Sequence, residues 1–240
     1  MNVLIHPSPC TANAAAAALL MPWLTEPGVR NVMLAGGNTP LELYRLIGAQ
    51  RPQLAHLNVF ALDEYAGVPQ DEPRNCANLV RRAAVVPWGV PAAQYYSVSS
   101  TDSGALAGIQ AHEQRIAEAG GLDVIILGLG QNGHLGFNEP GSAEDSAARV
   151  LELDAVSIAA NRDWFGGDYA PAKGATVGME TILAARRVML LAYGTPKTAA
   201  ATAMIEGPRT LQCPASLLQG HPNVHVMLDE PAAAGLRPSP

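Results

Sequence analysis

Residues Leu122–Ser142 read LDVIILGLGQNGHLGFNEPGS. A short apolar run ends in glycines, and a histidine, a Phe-Asn-Glu triplet and a Pro-Gly turn follow. A run of this length bounded by glycines fits a buried central strand, here Leu122–Leu127. Strand residues that empty into a glycine-rich loop carrying His134 and Glu139 mark the edge where open α/β sheets place their chemistry.

Outward from this segment, strand-like and helix-like stretches alternate. Asn2–His6, Val32–Ala35, Leu57–Leu62, Arg149–Leu153, Arg187–Ala192 and Val224–Leu228 read as further strands. Ala14–Leu24 reads as a helix with Asn13 as its candidate N-cap, Pro22 as a candidate kink and Pro27-Gly28 as its stop. Pro40–Ile47, capped by Thr39, reads as a second helix. Asn75–Ala84, Ala105–Ala119 and the stretch from Thr195-Pro196 to about Ile205 complete the helices. Ser157–Ala172 reads as a long surface segment or lid, and Pro231–Pro240 as a loose tail. The alternation predicts an α/β fold, a three-layer Rossmann-like open sheet, mostly parallel, with helices on both faces. No linker or internal repeat divides the chain, so residues 1–240 read as a single domain.

Composition narrows the function classes. With 48% apolar and 15% charged residues, the chain is neither disordered nor a coiled coil. A net charge of -6 without a basic run disfavours nucleic acid as a partner. Local donors can still bind a phosphorylated metabolite. Cys10, Cys76 and Cys213 are too few and too scattered for a disulfide framework or a zinc cage, which points to the reducing cytoplasm. The N-terminal stretch lacks the basic residues of a signal peptide, and no apolar run suffices to span a membrane.

Gly36-Gly37-Asn38-Thr39 joins a strand to a helix start, where free N–H groups and the positive dipole end converge and glycines admit a phosphate. An ordinary βα turn is the equal alternative. Lys197, in the first turn of its helix, opposes the helix dipole; a bound anion resolves that conflict, and a solvated lysine is the plainer account. Asp63-Glu64 ends a strand, so one carboxylate can face a cleft as a general base while its neighbour turns away; a helix-capping or turn acid is the equal alternative. Gly128–Gly133 matches G-x-G-x-x-G, but Asn138, Pro140 and Gly141 interrupt the helix that a dinucleotide site requires. His134 then reads as an acid/base group tuned by Glu139, against the alternative of a loop-held structural histidine. His6, His56, His112, His221 and His225 lack such surroundings. Arg162, in the lid segment, has the fork geometry for phosphate, but on this segment alone a surface arginine is the favoured account.

Taken in order, LAGGNTPLELY, FALDEYAGV, GLGQNGHLGFNEPGS, TVGMETIL and YGTPK resemble the phosphate loop, acid segment, histidine loop and C-terminal phosphate part of the glucosamine-6-phosphate deaminase/isomerase family. That family lies within a larger group that includes 6-phosphogluconolactonases. The resemblance spans nearly the whole chain, and Phe137-Asn138-Glu139-Pro140 points to the deaminase branch. It implies a hexosamine 6-phosphate substrate, aldose–ketose isomerisation coupled to loss of the 2-amino group, and no metal or organic cofactor. Asp63 would be the base between C2 and C1, His134 with Glu139 would assist ring opening, and Gly36, Gly37, Asn38, Thr39, Arg162 and Lys197 would hold the 6-phosphate. A homo-oligomer is among the assemblies the resemblance leaves open. One departure stands out: the family usually has Asp-Gly-His, whereas here it is Asn132-Gly133-His134. An amide neither carries a proton nor raises imidazole basicity by charge. A galacto epimer as substrate, slower turnover, or binding without turnover follow as alternatives, and the match of Asp63, His134, Glu139 and Lys197 favours an active enzyme.

Overall fold

The computed structural model describes residues 1–237; the expectation of a loose tail at 238–240 lies outside them. Strands β1 (Asn2–His6), β2 (Asn31–Leu34), β3 (Asn58–Ala61), β5 (Tyr95–Tyr96), β6 (Val124–Gly128), β9 (Arg187–Ala192) and β10 (Val224–Asp229) build one sheet. Its order is β1-β10-β9-β6-β2-β3-β5, and every neighbouring pair runs parallel. The apolar runs of the inner strands β2, β3, β6, β9 and β10 are buried on both faces, as a parallel sheet covered by helices requires, whereas edge strand β1 is partly exposed.

Side-chain alternation divides the core in two. Met33, Phe60, Ile125, Leu127, Val188 and Leu190 face one cluster, whereas Val32, Leu34, Val59, Val124, Ile126 and Met189 face the other. Helices α1 (Pro9–Thr25) and α2 (Asn38–Ala49) cover the second face through Leu20, Leu24, Leu43 and Ile47. Helices α4 (Asp102–Glu118), α6 (Met179–Leu183) and α7 (Thr198–Ile205) cover the first through Ile109, Ile116, Met179, Ile182 and Met204. The expected three layers are therefore present.

From β2 the chain steps outward to β3 and β5, then returns to place β6 on the other side of β2. The switch in direction lies between β2 and β6, and a crevice opens outside their carboxyl ends. Both glycine loops singled out in the sequence leave from these two strands.

A second, antiparallel sheet of β4 (Asp63–Ala66), β8 (Lys173–Thr176) and β7 (Arg149–Glu152) adjoins this crevice. Arg149–Leu153 is thus a strand as expected, but outside the parallel sheet. The segment expected as a lid opens with a helix, α5 (Ala155–Trp164), whose N-cap Asp154 accepts the Val156 N–H at 2.9 Å. A separate apolar cluster of Tyr65, Val68, Cys76, Phe137, Leu153 and Phe165 packs beneath these elements.

Several boundaries differ from expectation for identifiable reasons. Helix α1 starts at Pro9 because Ser8 and Thr11 form a capping box; Asn13 is buried and donates to the Pro9 carbonyl at 2.8 Å instead of capping. Helix α2 is capped by Gly37 with no side-chain bond, so Thr39 is not its cap. Helix α3 (Cys76–Val80) continues as a π-helical turn through Val85, in the stretch expected to be helical. The C-terminal stretch opens with α8 (Glu230–Ala233), which Asp229 caps, so it is ordered there rather than loose. Among the described residues no helix is long and apolar enough to cross a membrane.

Candidate active site

The crevice at the switch point holds a cavity of about 180 Å³. Asp63 forms part of one wall. It is only 5% exposed, and its Oδ1 atom has no hydrogen-bond partner. Burial, followed by repulsion from Glu64, raises its carboxyl to about 7, and the Cys76 thiol opposes the rise. A base that titrates near the working pH is well matched to proton abstraction. Glu64 turns the other way, as strand alternation demands. Its oxygens accept N–H groups of Tyr65 at 2.8 Å, Cys76 at 3.2 Å and Ala77 at 2.9 Å, so it caps the start of α3.

The loop after β6 presents His134. Its Nδ1 atom lies 3.4 Å from Glu139 Oε2 and 3.3 Å from the Ser157 hydroxyl. Asn132 Nδ2 donates to the same Glu139 oxygen at 2.7 Å, while Asn132 Oδ1 accepts the His134 backbone N–H at 3.3 Å. One amide therefore clamps both partners. Burial works against the Glu139 charge, but the hydrogen bond and charge of His134, helped by Ser157 and Asn132, outweigh it and hold the carboxyl below its usual range. Glycine at 130 is a steric necessity: a Cβ there would lie 2.4 Å from His134 Cγ.

Another part of the cavity lining offers groups that can hold an anion. Gly36, Gly37 and Thr39 line it at the start of α2, whose first turn has no side-chain cap. Gly36 must be glycine because a Cβ would fall 2.5 Å from the Cys76 Cα. Lys197 enters from a 3-10 turn, Thr195–Lys197, just before α7 rather than from within that helix. It is half-buried, burial lowers its pKa, and it has no carboxylate within ion-pair distance among the described residues. An uncompensated, partly desolvated ammonium beside uncapped N–H groups is a place for a phosphate. Among the described residues no group of three His, Cys, Asp or Glu side chains gathers as a metal site.

A family profile described as glucosamine-6-phosphate isomerases/6-phosphogluconolactonase matches residues 11–226. The chain belongs to this family. A glucosamine-6-phosphate deaminase of Cutibacterium acnes is 40% identical over 208 residues, 85% of this chain and 80% of that protein. One from Corynebacterium kroppenstedtii is 38% identical, covering 98% of this chain and 93% of its own. The solved structure of a monomeric glucosamine-6-phosphate deaminase, of the NagB superfamily, matches with a TM-score of 0.93 at 29% identity, over 98% of this chain and 100% of that one. A 6-phosphogluconolactonase from Trypanosoma cruzi shares the fold, with a TM-score of 0.81 at 22% identity over 99% and 97% of the two chains.

Measured against this member of the glucosamine-6-phosphate isomerase/6-phosphogluconolactonase family, the residues singled out in the sequence divide into three groups. Asp63, His134, Gly36, Gly37, Thr39 and Lys197 line the cavity. Asn132 and Glu139 stand behind His134 and reach the cavity only through it. Asn38 and Arg162 are exposed and do not line it. Arg162 follows Asn161, which does face the cavity, so the 100° turn per helical residue carries Arg162 off that face. Tyr65, Ser157 and Asn161 line the cavity but were not singled out. Ser157 and Asn161 lie four apart on α5, a helical spacing hidden because the segment was read whole, with Gly166 and Gly167, as surface loop.

Proposed function

We propose that the protein is an amino-sugar-6-phosphate deaminase/isomerase that converts glucosamine 6-phosphate or galactosamine 6-phosphate, with water, to the ketohexose 6-phosphate and ammonia. The observation that carries this proposal is the pairing of a cavity-lining Asp63, with one oxygen free of hydrogen bonds and a carboxyl raised to about 7, with an uncompensated Lys197 in the same cavity. The first is suited to moving a proton between C2 and C1 of a sugar, the second to gripping its phosphate. His134, oriented by Glu139, serves to pass a proton to and from the ring oxygen as the pyranose opens. The curated deaminases at 38–40% identity support the same activity.

Asn132 fits an active enzyme. As a donor to Glu139 it orients the carboxylate without adding a second negative charge beside it. The segment 157–172, with α5 over the cavity, is assigned as the lid, and the protein as a single cytoplasmic domain.

Because Asp63 must be ionised to accept a proton, kcat/KM is expected to rise with pH through about 7 and to flatten above it. A profile that is flat from pH 5.5 to 8.5 would remove Asp63 from the role of base. The deciding experiment is ammonia release from each hexosamine 6-phosphate separately. Release from one sugar alone identifies the epimer. Release from neither overturns the proposal; lactone hydrolysis, or calorimetric binding without turnover, would then show which other activity the site serves.

A further inference from the structure

Asp229 is the last residue of β10, and it is 2% exposed. Its carboxylate accepts the Gly194 N–H at 2.9 and 3.0 Å through both oxygens, and the Ala232 N–H at 2.9 Å through one of them. The Ala232 bond caps α8. A cap alone needs only one oxygen, which serine or asparagine supplies as well. Placing both oxygens of a buried carboxylate on Gly194 is more than a cap requires.

Gly194 is the point where the chain turns from β9 toward the cavity. It holds φ +83° and ψ 158°, a conformation essentially restricted to glycine. Its carbonyl accepts the Lys197 backbone N–H at 3.0 Å. One residue thus relays two hydrogen bonds, from Asp229 to Gly194 and from Gly194 to Lys197. A second tie runs alongside, from the Thr198 hydroxyl to the Pro231 carbonyl at 2.8 Å. The corner between β10 and α8 therefore fixes the backbone from which the Lys197 side chain enters the cavity.

We propose that Asp229 is a positioning residue for the substrate phosphate: through Gly194 it sets where Lys197 enters the cavity. This rests on the assignment of Lys197 as the phosphate's cation. A lysine on a loose turn must be ordered when the anion binds, and that entropy weakens binding; a turn already fixed avoids the loss. The effect belongs to binding, because Asp229 does not line the cavity and its side-chain hydrogen bonds go to Gly194 and Ala232 rather than to Asp63 or His134.

Asp229→Ser separates the two jobs of the residue. Serine keeps one acceptor for the cap on α8 and removes both the negative charge and the second oxygen, which bonds Gly194 alone. The variant is expected to raise KM about tenfold and the inhibition constant of inorganic phosphate by the same factor, with kcat within about twofold of the native enzyme. Gly194→Ala, which strains the same turn from its other side, is expected to give the same signature and serves if Asp229→Ser fails to fold. Adding Asp229→Ser to Lys197→Ala is expected to raise KM no further, since both act through one contact. If Lys197→Ala raises KM and the phosphate inhibition constant while Asp229→Ser and Gly194→Ala leave them unchanged, the positioning role is wrong and the phosphate site stands. If kcat falls at constant KM, Asp229 merely supports the fold. If Lys197→Ala itself leaves both constants unchanged, the phosphate site is elsewhere and the role of Asp229 falls with it.

Discussion

Asp63→Asn is expected to lower kcat by about two to four orders of magnitude while KM stays close to the native value. Asparagine has nearly the shape of aspartate, so the cavity wall and the contact with Cys76 persist. What disappears is the one carboxylate that lines the cavity among the described residues, and with it the proposed proton acceptor. A second readout moves in the opposite direction. The Asp63 carboxyl is raised from 3.8 to about 7 in the fold, so stability is lost as pH rises between these values and the full penalty of the buried charge is present above about 7. Removing the charge is expected to raise the melting temperature at pH 8 while activity collapses, the trade-off typical of a strained active site. Steady-state deamination and thermal melts at pH 8 check both. Turnover within tenfold of the native enzyme would mean that another group is the base.

Gly130→Ala is expected to lower kcat about a hundredfold, the range associated with losing one acid/base group. Its Cβ would lie 2.4 to 2.5 Å from three atoms of the His134 ring, including Cγ, where no flexible end of a side chain can swing aside. The imidazole must leave its place beside Glu139 and Ser157, and proton transfer to the ring oxygen goes with it. The loss is expected to be non-additive: Gly130→Ala in a His134→Ala background lowers kcat no further. An added drop in the double variant would show that the methyl group acts on something other than the histidine.

The parts of the site legible in the sequence are those that local backbone chemistry imposes. Gly36-Gly37 and Gly128–Gly133 announce themselves because a strand must turn sharply there and let other groups approach closely. The Asp63-Glu64 pair was readable as one cleft-facing and one inward-facing acid, but which was which depends on Cys76 and Ala77, residues in a different element that engage Glu64. Arg162 shows the reverse error: its chemistry suits phosphate, yet its helical phase places it outside the cavity. Strands β4 and β8 escaped notice because four-residue pairings have almost no periodic signal, and they exist only once Asp63–Ala66 and Lys173–Thr176 meet in space. Asp229 carries no local signal, because its bonds to Gly194 join positions 35 apart in the chain.

The seam between the two sheets has a consequence for redesign. Asp63 opens β4, one residue beyond Leu62, while the glycine loop and Lys197 hang from the parallel sheet. The proposed catalytic base and the proposed phosphate grip therefore sit on separate sheets. Strands β7 and β8 and helix α5 can vary to give a new enclosure for a different sugar ring, provided that β4 is kept: it carries Asp63, and its Glu64 holds the start of α3, where Cys76 packs against Gly36 of the proposed phosphate anchor. A lineage drifting toward a new substrate has the same freedom: it can inherit its handle on the ligand and experiment with the rest.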